Sequence, residues 1–208
     1  MSAVRATSLC AAVFVLAGCS GMSEQACVSA DWRTVGFEDG TLGRSEAGIS
    51  RYRQQCGEYG VAPDLVSYRE GHAEGVRVYC RESNGFAVGH SGASYQGVCP
   101  ADLEAAFVAE YNAGRHLNEL ESALGSIEAR ISGNYRTQEN IKQELTGIAA
   151  RMIAVDTTVE QRVSMVTRSA ELGRRYGELS TEIQVLERDR ALAERELLDY
   201  RATLAASF

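Results

Sequence analysis

Residues 117–155, LNELESALGSIEARISGNYRTQENIKQELTGIAARMIAV, decide the fold. Positions seven apart read Leu117, Leu124, Ile131, Gln138, Leu145 and Met152, and the interleaved series reads Leu120, Ile127, Asn134, Ile141, Ile148 and Val155. Ten of these twelve positions are apolar, which is the seam of a heptad-patterned helix. A second seam follows through Met165, Leu172, Leu179, Leu186, Ala193 and Tyr200, interleaved with Ser169, Tyr176, Ile183, Arg190, Leu197 and Leu204. Between the seams stands Asp156-Thr157-Thr158-Val159-Glu160, where Thr157 and Glu160 have the spacing of a capping box and predict a new helix start.

Folding at that point gives arms 101–154 and 158–206, each about 75 Å long at 1.5 Å per residue. Equal arms with a cap at the midpoint favour an antiparallel coiled-coil hairpin, with its turn near 155–158, over one continuous helix that pairs with another chain. Asn134 and Gln138 are polar seam positions, a pattern that costs stability and fixes register. Gly133-Asn134 marks a point where the first arm is expected to kink or break.

Upstream of Pro100 the composition changes. Residues 27–99 hold most of the Gly, about half of the aromatic residues and four Cys, whereas 101–206 contain no Pro and no Cys. Residues 27–100 therefore read as a small, disulfide-stapled, Gly-rich helical head, and the whole as an all-α chain. Asp31 is placed as the N-cap of a helix running to about Tyr59, on which Gly36, Gly40 and Gly43 share a face. Asp64 to Cys80 and Glu82 to His90 are two further helices. An aromatic residue stands three before a Gly four times, at Phe37-Gly40, Tyr68-Gly71, Phe86-Gly89 and Tyr111-Gly114. On a helix each ring then lies beside a bare backbone patch that permits close approach of a second helix. A repeat of aromatic-Gly β-hairpins is the competing reading, and Gly spacings of three and four, not two, favour helices.

At the other end, Met1–Thr7 carries one positive charge at Arg5, and an uncharged apolar run follows to Leu16. A run of roughly 10 residues is half of what a spanning helix needs, so the layout is that of a signal peptide, residues 1–18, rather than a permanent anchor. Leu16-Ala17-Gly18-Cys19 resembles the lipobox of bacterial lipoproteins, which implies lipidation of Cys19 as the first mature residue and attachment to a membrane through that lipid. Residues 19–26 are then a short tether. In lipoproteins of two-membrane bacteria an Asp after the Cys favours inner-membrane retention. Ser20 points by the same resemblance to the outer membrane, facing the periplasm.

Removing the signal takes away Arg5 and leaves 20 basic against 28 acidic residues, a net charge of −8. With Lys142 the single lysine, the chain has no electrostatic footprint for nucleic acid. Cys27, Cys56, Cys80 and Cys99 remain as an even set in an exported chain, which reads as two disulfides in an oxidising compartment. A zinc site is disfavoured because no two of them have CxxC spacing.

Asp31-Trp32, Gly36-Phe37-Glu38-Asp39-Gly40, Tyr68-Arg69-Glu70-Gly71, Tyr79-Cys80, Asn84-Gly85 and Tyr95-Gln96-Gly97-Val98-Cys99-Pro100 together resemble the bacterial lipoproteins grouped as domain of unknown function 2799. The resemblance covers about residues 27–120, is most specific in Tyr-x-Gly-Val-Cys-Pro, and extends in relatives into a charged helical pair. It implies a lipoprotein with disulfides and carries no activity. A straight helix between Cys27 and Cys56 would hold them about 40 Å apart, whereas a disulfide needs Cα atoms within roughly 7 Å. That geometry favours Cys27 with Cys80 and Cys56 with Cys99, the alternative being Cys27 with Cys99 and Cys56 with Cys80.

Candidate chemistry is sparse. His72, His90 and His116 fall on three predicted elements without metal-ligand spacing, and Asp39 beside Gly40 is the one carboxylate singled out in the head. There is no Gly-rich phosphate loop after a strand and no Ser nucleophile elbow, so neither a cofactor nor a metal is expected. The expected role is a non-enzymatic envelope lipoprotein whose hairpin contacts a protein or cell-wall partner. A small-ligand or cell-wall-modifying site in residues 27–100, using Asp39, His72 or His90, is the second reading, and self-association through the seam the third.

Overall fold

The computed structural model describes residues 21–207, so the signal segment, the lipobox and Cys19 lie outside the described residues. No strand occurs among them, and the chain is all-α. The described residues divide into two compact units: residues 21–80 together with Gln96–Pro100, and Arg81–Tyr95 together with residues 101–207. The boundary expected at Pro100 is therefore misplaced, because the segment 81–95 packs on the first arm of the hairpin.

The first unit contains α1 (Glu24–Ser29), α2 (Trp32–Thr41), a 3-10 turn (Glu46–Gly48), α3 (Ile49–Gly57) and α4 (Leu65–Tyr79). Its starts are written in side chains. Ser23 accepts a hydrogen bond from the Ala26 N–H, and the Asp31 and Asp64 carboxylates each accept two backbone N–H groups at the starts of α2 and α4. Hydrogen bonds from the Thr34 and Ser67 hydroxyls, and then those backbone bonds, hold both carboxyls below the usual carboxylate range. The Ser23 cap turns the end of the expected tether into α1.

One long helix from Asp31 to Tyr59 was the expectation, and the chain instead stops at Thr41. Gly43 takes φ +66, its N–H bonds to the Gly40 carbonyl and the Arg44 N–H to that of Asp39. That is a left-handed helix stop, which Gly adopts without the Cβ penalty. Gly43 is a terminator and not a third member of the glycine face. Because the chain turns back after α2, α3 brings Cys56 within 5.5 Å of Cys27 at Cα, where they form a disulfide, and Cys80 joins Cys99 at 5.6 Å. Both pairings inferred from an unbroken helix are thus replaced, since the 40 Å separation assumed between Cys27 and Cys56 vanishes at the Gly43 turn.

The glycines behave as the aromatic-Gly spacing predicted. Helices α2 and α4 cross so closely that a Cβ on Gly71 would sit 1.9 Å from the Arg33 carbonyl oxygen, and one on Gly36 2.0 Å from that of Tyr68. Gly40 and Gly75 continue the contact against His72 and Phe37 backbone. Only hydrogen fits at these four positions. The second unit repeats the device with α5 (Glu82–His90) and the start of α6 (Ala101–Met152), where Gly85 and Gly89 meet the backbone of Phe107 and Tyr111, and Gly114 that of Phe86. The sequence period matches, Gly36-Phe37-x-x-Gly40-x-x-Gly43 against Gly85-Phe86-x-x-Gly89-x-x-Gly92, with Gly43 and Gly92 both at positive φ. Tyr68-x-x-Gly71 and Tyr111-x-x-Gly114 supply the opposing helices. The chain contains one helix-crossing motif twice.

Helices α6 and α7 (Val159–Ser207) pair antiparallel, so the hairpin is intramolecular. Leu117, Ile131 and Ile141 of α6 and Leu172, Leu179, Ile183, Leu186 and Leu197 of α7 are buried, all of them heptad-seam positions. Helix α6 runs through Gly133-Asn134 without a break. The buried Gln138 amide donates to Ser180 Oγ at 2.8 Å across the seam. Ion pairs Arg130–Glu182, Arg168–Glu144 and Arg201–Glu121 flank the seam between the arms and lower all three carboxyl pKa values through the arginine hydrogen bonds. Two details differ from expectation. The capping box is Thr158 with Gln161, whose side chains exchange bonds with each other's backbone N–H, one residue on from Thr157 and Glu160. Val155 leaves the seam and is fully exposed in the turn.

Candidate functional site

The Gly43 turn gives the first unit its polar centre. By stopping α2 and sending Arg44 back over Asp39, it places Arg44 Nη1 2.7 Å from Asp39 Oδ1. Tyr52 from α3 and Tyr68 from α4 donate their hydroxyls to the same carboxylate at 3.2 and 2.9 Å. Asp39 is 2 % exposed, and three donors satisfy it, as a buried carboxylate requires. The Arg44 guanidinium is held above its ordinary pKa, first by its hydrogen bond to Asp39. Burial, then the bond to Asp39, pushes the Tyr68 phenol far above its usual range.

His72 joins the centre from the next turn of α4. Its ring stacks on Tyr68 at 5.9 Å, and its Nε2 donates to the Arg44 carbonyl oxygen at 2.8 Å. Trp32 and Tyr52 extend the aromatic row edge-to-face, with centroids 5.9 Å apart. On the other side of His72 a cleft of about 450 Å³ opens between α4, Ser45-Glu46 and the Gln96–Pro100 strap, with Arg77, Val76 and Val98 among its walls. The Cys80–Cys99 disulfide ties that strap to the end of α4.

Of the three residues singled out from sequence, Asp39 and His72 are brought together through Arg44. His90 is not, for it belongs to the second unit, where its Nε2 lies 2.8 Å from Glu121. His116, also in that unit, packs edge-on against Tyr200. Arg44, Tyr52 and Tyr68 complete the cluster and were missed. The signal for Arg44 was its place one residue beyond the left-handed Gly43, whereas nothing in the spacing of Tyr52 marks it. Among the described residues no group of His, Cys, Asp and Glu is disposed to hold a metal ion.

The second crossing motif acts as an internal control. There Val88 stands at the position of Asp39, Ala93 at that of Arg44 and Arg115 at that of His72. The Tyr111 hydroxyl, with no carboxylate to meet, donates to the Ala93 carbonyl oxygen at 3.1 Å. One crossing folds without the buried carboxylate, so the glycine geometry alone does not demand Asp39. The polar cluster is a specialisation of the first motif.

Its titration is testable. A Tyr68 phenol whose folded pKa exceeds the unfolded value of about 10 stabilises the fold fully below pH 10, and that stability is lost as pH rises beyond it. Tyr68→Phe should cost about 1–2 kcal/mol at neutral pH and flatten the decline above pH 10. Urea titrations from pH 8 to 11, monitored by circular dichroism, check both; an unchanged alkaline slope would show that Tyr68 is not the group responsible.

Residues 31–116 match the family model described as Protein of unknown function (DUF2799). The matched span starts at the Asp31 cap of α2 and ends two residues after Gly114, so it encloses both crossing motifs and leaves out most of the hairpin. No curated protein and no solved structure is detectably similar to the chain. What the chain shares with the DUF2799 family model lies in the two glycine-crossed helix pairs of residues 31–116.

Proposed function

We infer that the protein is a lipid-anchored lipoprotein of the cell envelope, held through Cys19 and facing the periplasm from the outer membrane, whose hairpin contacts a protein or cell-wall partner without catalysis. The observation that carries this reading is the hairpin itself. Two arms of 52 and 49 residues, joined along one seam and laced by three inter-arm ion pairs, form a surface about 75 Å long. No helix among the described residues is long and apolar enough to cross a membrane, which is consistent with attachment by lipid.

Cys19→Ala should move the full chain from the membrane fraction to the soluble periplasmic fraction and abolish palmitate incorporation. Persistence in the membrane fraction would remove the anchor from the reading. For the hairpin, cross-linking in intact cells should lose its specific partners when residues 124–197 are replaced by a short turn. Recovery of the same partners would place the contact elsewhere.

A second reading has an observation of its own, the cleft beside His72. Its volume lies within the range of small-molecule sites, and it combines apolar walls with Ser45, Glu46, His72, Arg77 and Gln96. A small polar ligand held there would not need the hairpin. Loss of phenotype on His72→Ala in a chain that melts normally would favour this reading over the first.

A further inference from the structure

The chain joins the first unit within two residues of its expected lipid. The Met22 N–H donates to Gln55 Oε1 at 3.3 Å, and a Cβ on Gly21 would lie 3.2 Å from Gln55 Nε2, so the described chain rests against α3 from Gly21 onward. Ser23 then caps α1, and the Cys27–Cys56 disulfide fastens that helix to the end of α3. A helix of six residues does not hold by itself, so the contact with Gln55 and the disulfide are what keep residues 21–29 from serving as a leash. Of the expected tether 19–26, Cys19 and Ser20 alone lie before these contacts.

Two peptide units reach about 7 Å. The polar head-group layer of a bilayer is about 5–8 Å deep on each side, so a lipid on Cys19 brings Gly21 to its outer edge at the farthest. That length also decides what covers the surface around Gln55. An α-helix with its side chains is about 10–12 Å across, so neither a partner protein nor a second copy fits between this surface and the lipid. The surface itself suits the layer. Gln25 and Ser29 on the outward side of α1 and Gln54 on α3 are exposed and uncharged, and Val28 beside them is 66 % exposed. The charges that flank them, Glu24 and Glu58 against Arg51 and Arg53, cancel. Without a net charge to draw it to lipid, this surface is held there by the short link, which acts as a high effective concentration.

We propose that the first unit docks on the bilayer through α1 and the last turns of α3, with Gln25 and Gln54 among the lipid head groups. This rests on the lipid anchor at Cys19 inferred above, and it names the face of the unit that the anchor presses on the membrane. The Cys27–Cys56 disulfide thereby has a second role beside stability: it fixes the stand-off of the unit, since release of α1 would lengthen the link from two residues to the eleven that precede Ala30.

The experiment uses the full lipidated chain, purified in detergent and reconstituted into phosphatidylethanolamine–phosphatidylglycerol vesicles, with a photoreactive residue in place of Gln25 or of Gln54. Irradiation and mass spectrometry should give phospholipid adducts at both positions. Insertion of about 20 Gly and Ser residues between Ser20 and Gly21 extends the reach to about 25 Å and leaves every described residue in place. In that chain the adduct yield should fall at least fivefold, while the helical signal, the melting temperature and flotation with the vesicles stay as in the parent. The proposal is overturned by a chain that floats and gives no phospholipid adduct, by yields that the linker leaves unchanged, or by adducts to a second copy of the chain in place of lipid; in each case the anchor stands and the docking face is wrong. A chain that neither floats nor carries palmitate refutes the anchor, and the proposal with it.

Discussion

Gly71→Ala should unfold the first unit, while Gly125→Ala, the same chemical change elsewhere, should stabilise the chain. At Gly71 the new methyl would lie 1.9 Å from the Arg33 carbonyl oxygen and 3.0 Å from the Phe37 amide nitrogen, both backbone atoms of α2. No rotamer change relieves a clash with backbone, so α2 and α4 must separate. That separation exposes Tyr68 and strips Asp39, which takes donors from α3 and α4, of its buried partners. The expected cost is about 4 kcal/mol or more, in the exceptional range for one methyl group. At Gly125 a Cβ meets nothing within 4 Å, and in mid-helix Ala should add about 0.5–1 kcal/mol. Thermal melts of the two variants by circular dichroism give the contrast directly. A Gly71→Ala protein that melts like the parent would mean that α2 and α4 do not cross at this distance.

The second large effect is expected from the Cys27–Cys56 disulfide, which bridges 29 residues and lies wholly inside the first unit. Its loss in Cys27→Ser/Cys56→Ser should cost about 3–4 kcal/mol, because the open chain gains loop entropy in the unfolded state and the unit has only a small core to offset it. Removing Cys80–Cys99, across 19 residues, should cost about 3 kcal/mol and additionally free the Gln96–Pro100 wall of the cleft, so protease cutting near Val98 should rise only in that variant. Urea denaturation of the two variants measures the cost. A non-reduced tryptic digest checks the pairing itself, since the peptide holding Cys27 should be linked to that holding Cys56 and to no other. A Cys27–Cys80 link in that digest would restore the pairing that an unbroken first helix requires.

How far each feature could be read from sequence follows from the range of the interaction that makes it. The heptads of 117–152 and 165–204 are repeated local patterns, and every buried leucine and isoleucine of the hairpin falls on them. The aromatic-Gly spacing announced the two helix crossings, because a crossing needs several bare positions on one face and leaves them at intervals of three and four. The Gly43 stop was misread for the same reason. Its spacing continued the glycine face, and only its backbone angle of +66° separates a terminator from a contact residue. From that one misreading came the wrong disulfide pairs, since connectivity depends on where the chain turns.

The Asp39 cluster was legible in part. Asp39 and His72 stood out as polar residues beside crossing glycines, but their joining through Arg44, Tyr52 and Tyr68 draws on four separate elements or turns. Composition could not show that Val88 replaces Asp39 in the second motif, because the duplication is carried by a few glycines and aromatics amid otherwise dissimilar residues. The exposed tip also escaped a heptad count, which assigned Val155 to the seam by position alone.

What the sequence determined by itself, then, was the helical class, the paired arms and the glycine-mediated crossings, all set by periodicity along a single helix. The tertiary structure decided the disulfide partners, the assignment of 81–95 to the second unit, the buried Asp39 carboxylate with its three donors, and the outward valines of the turn. Each of these depends on the direction in which the chain leaves one helix and enters the next. That direction is fixed by a single backbone angle or a few capping bonds, and a pattern of residue types along the chain does not encode it.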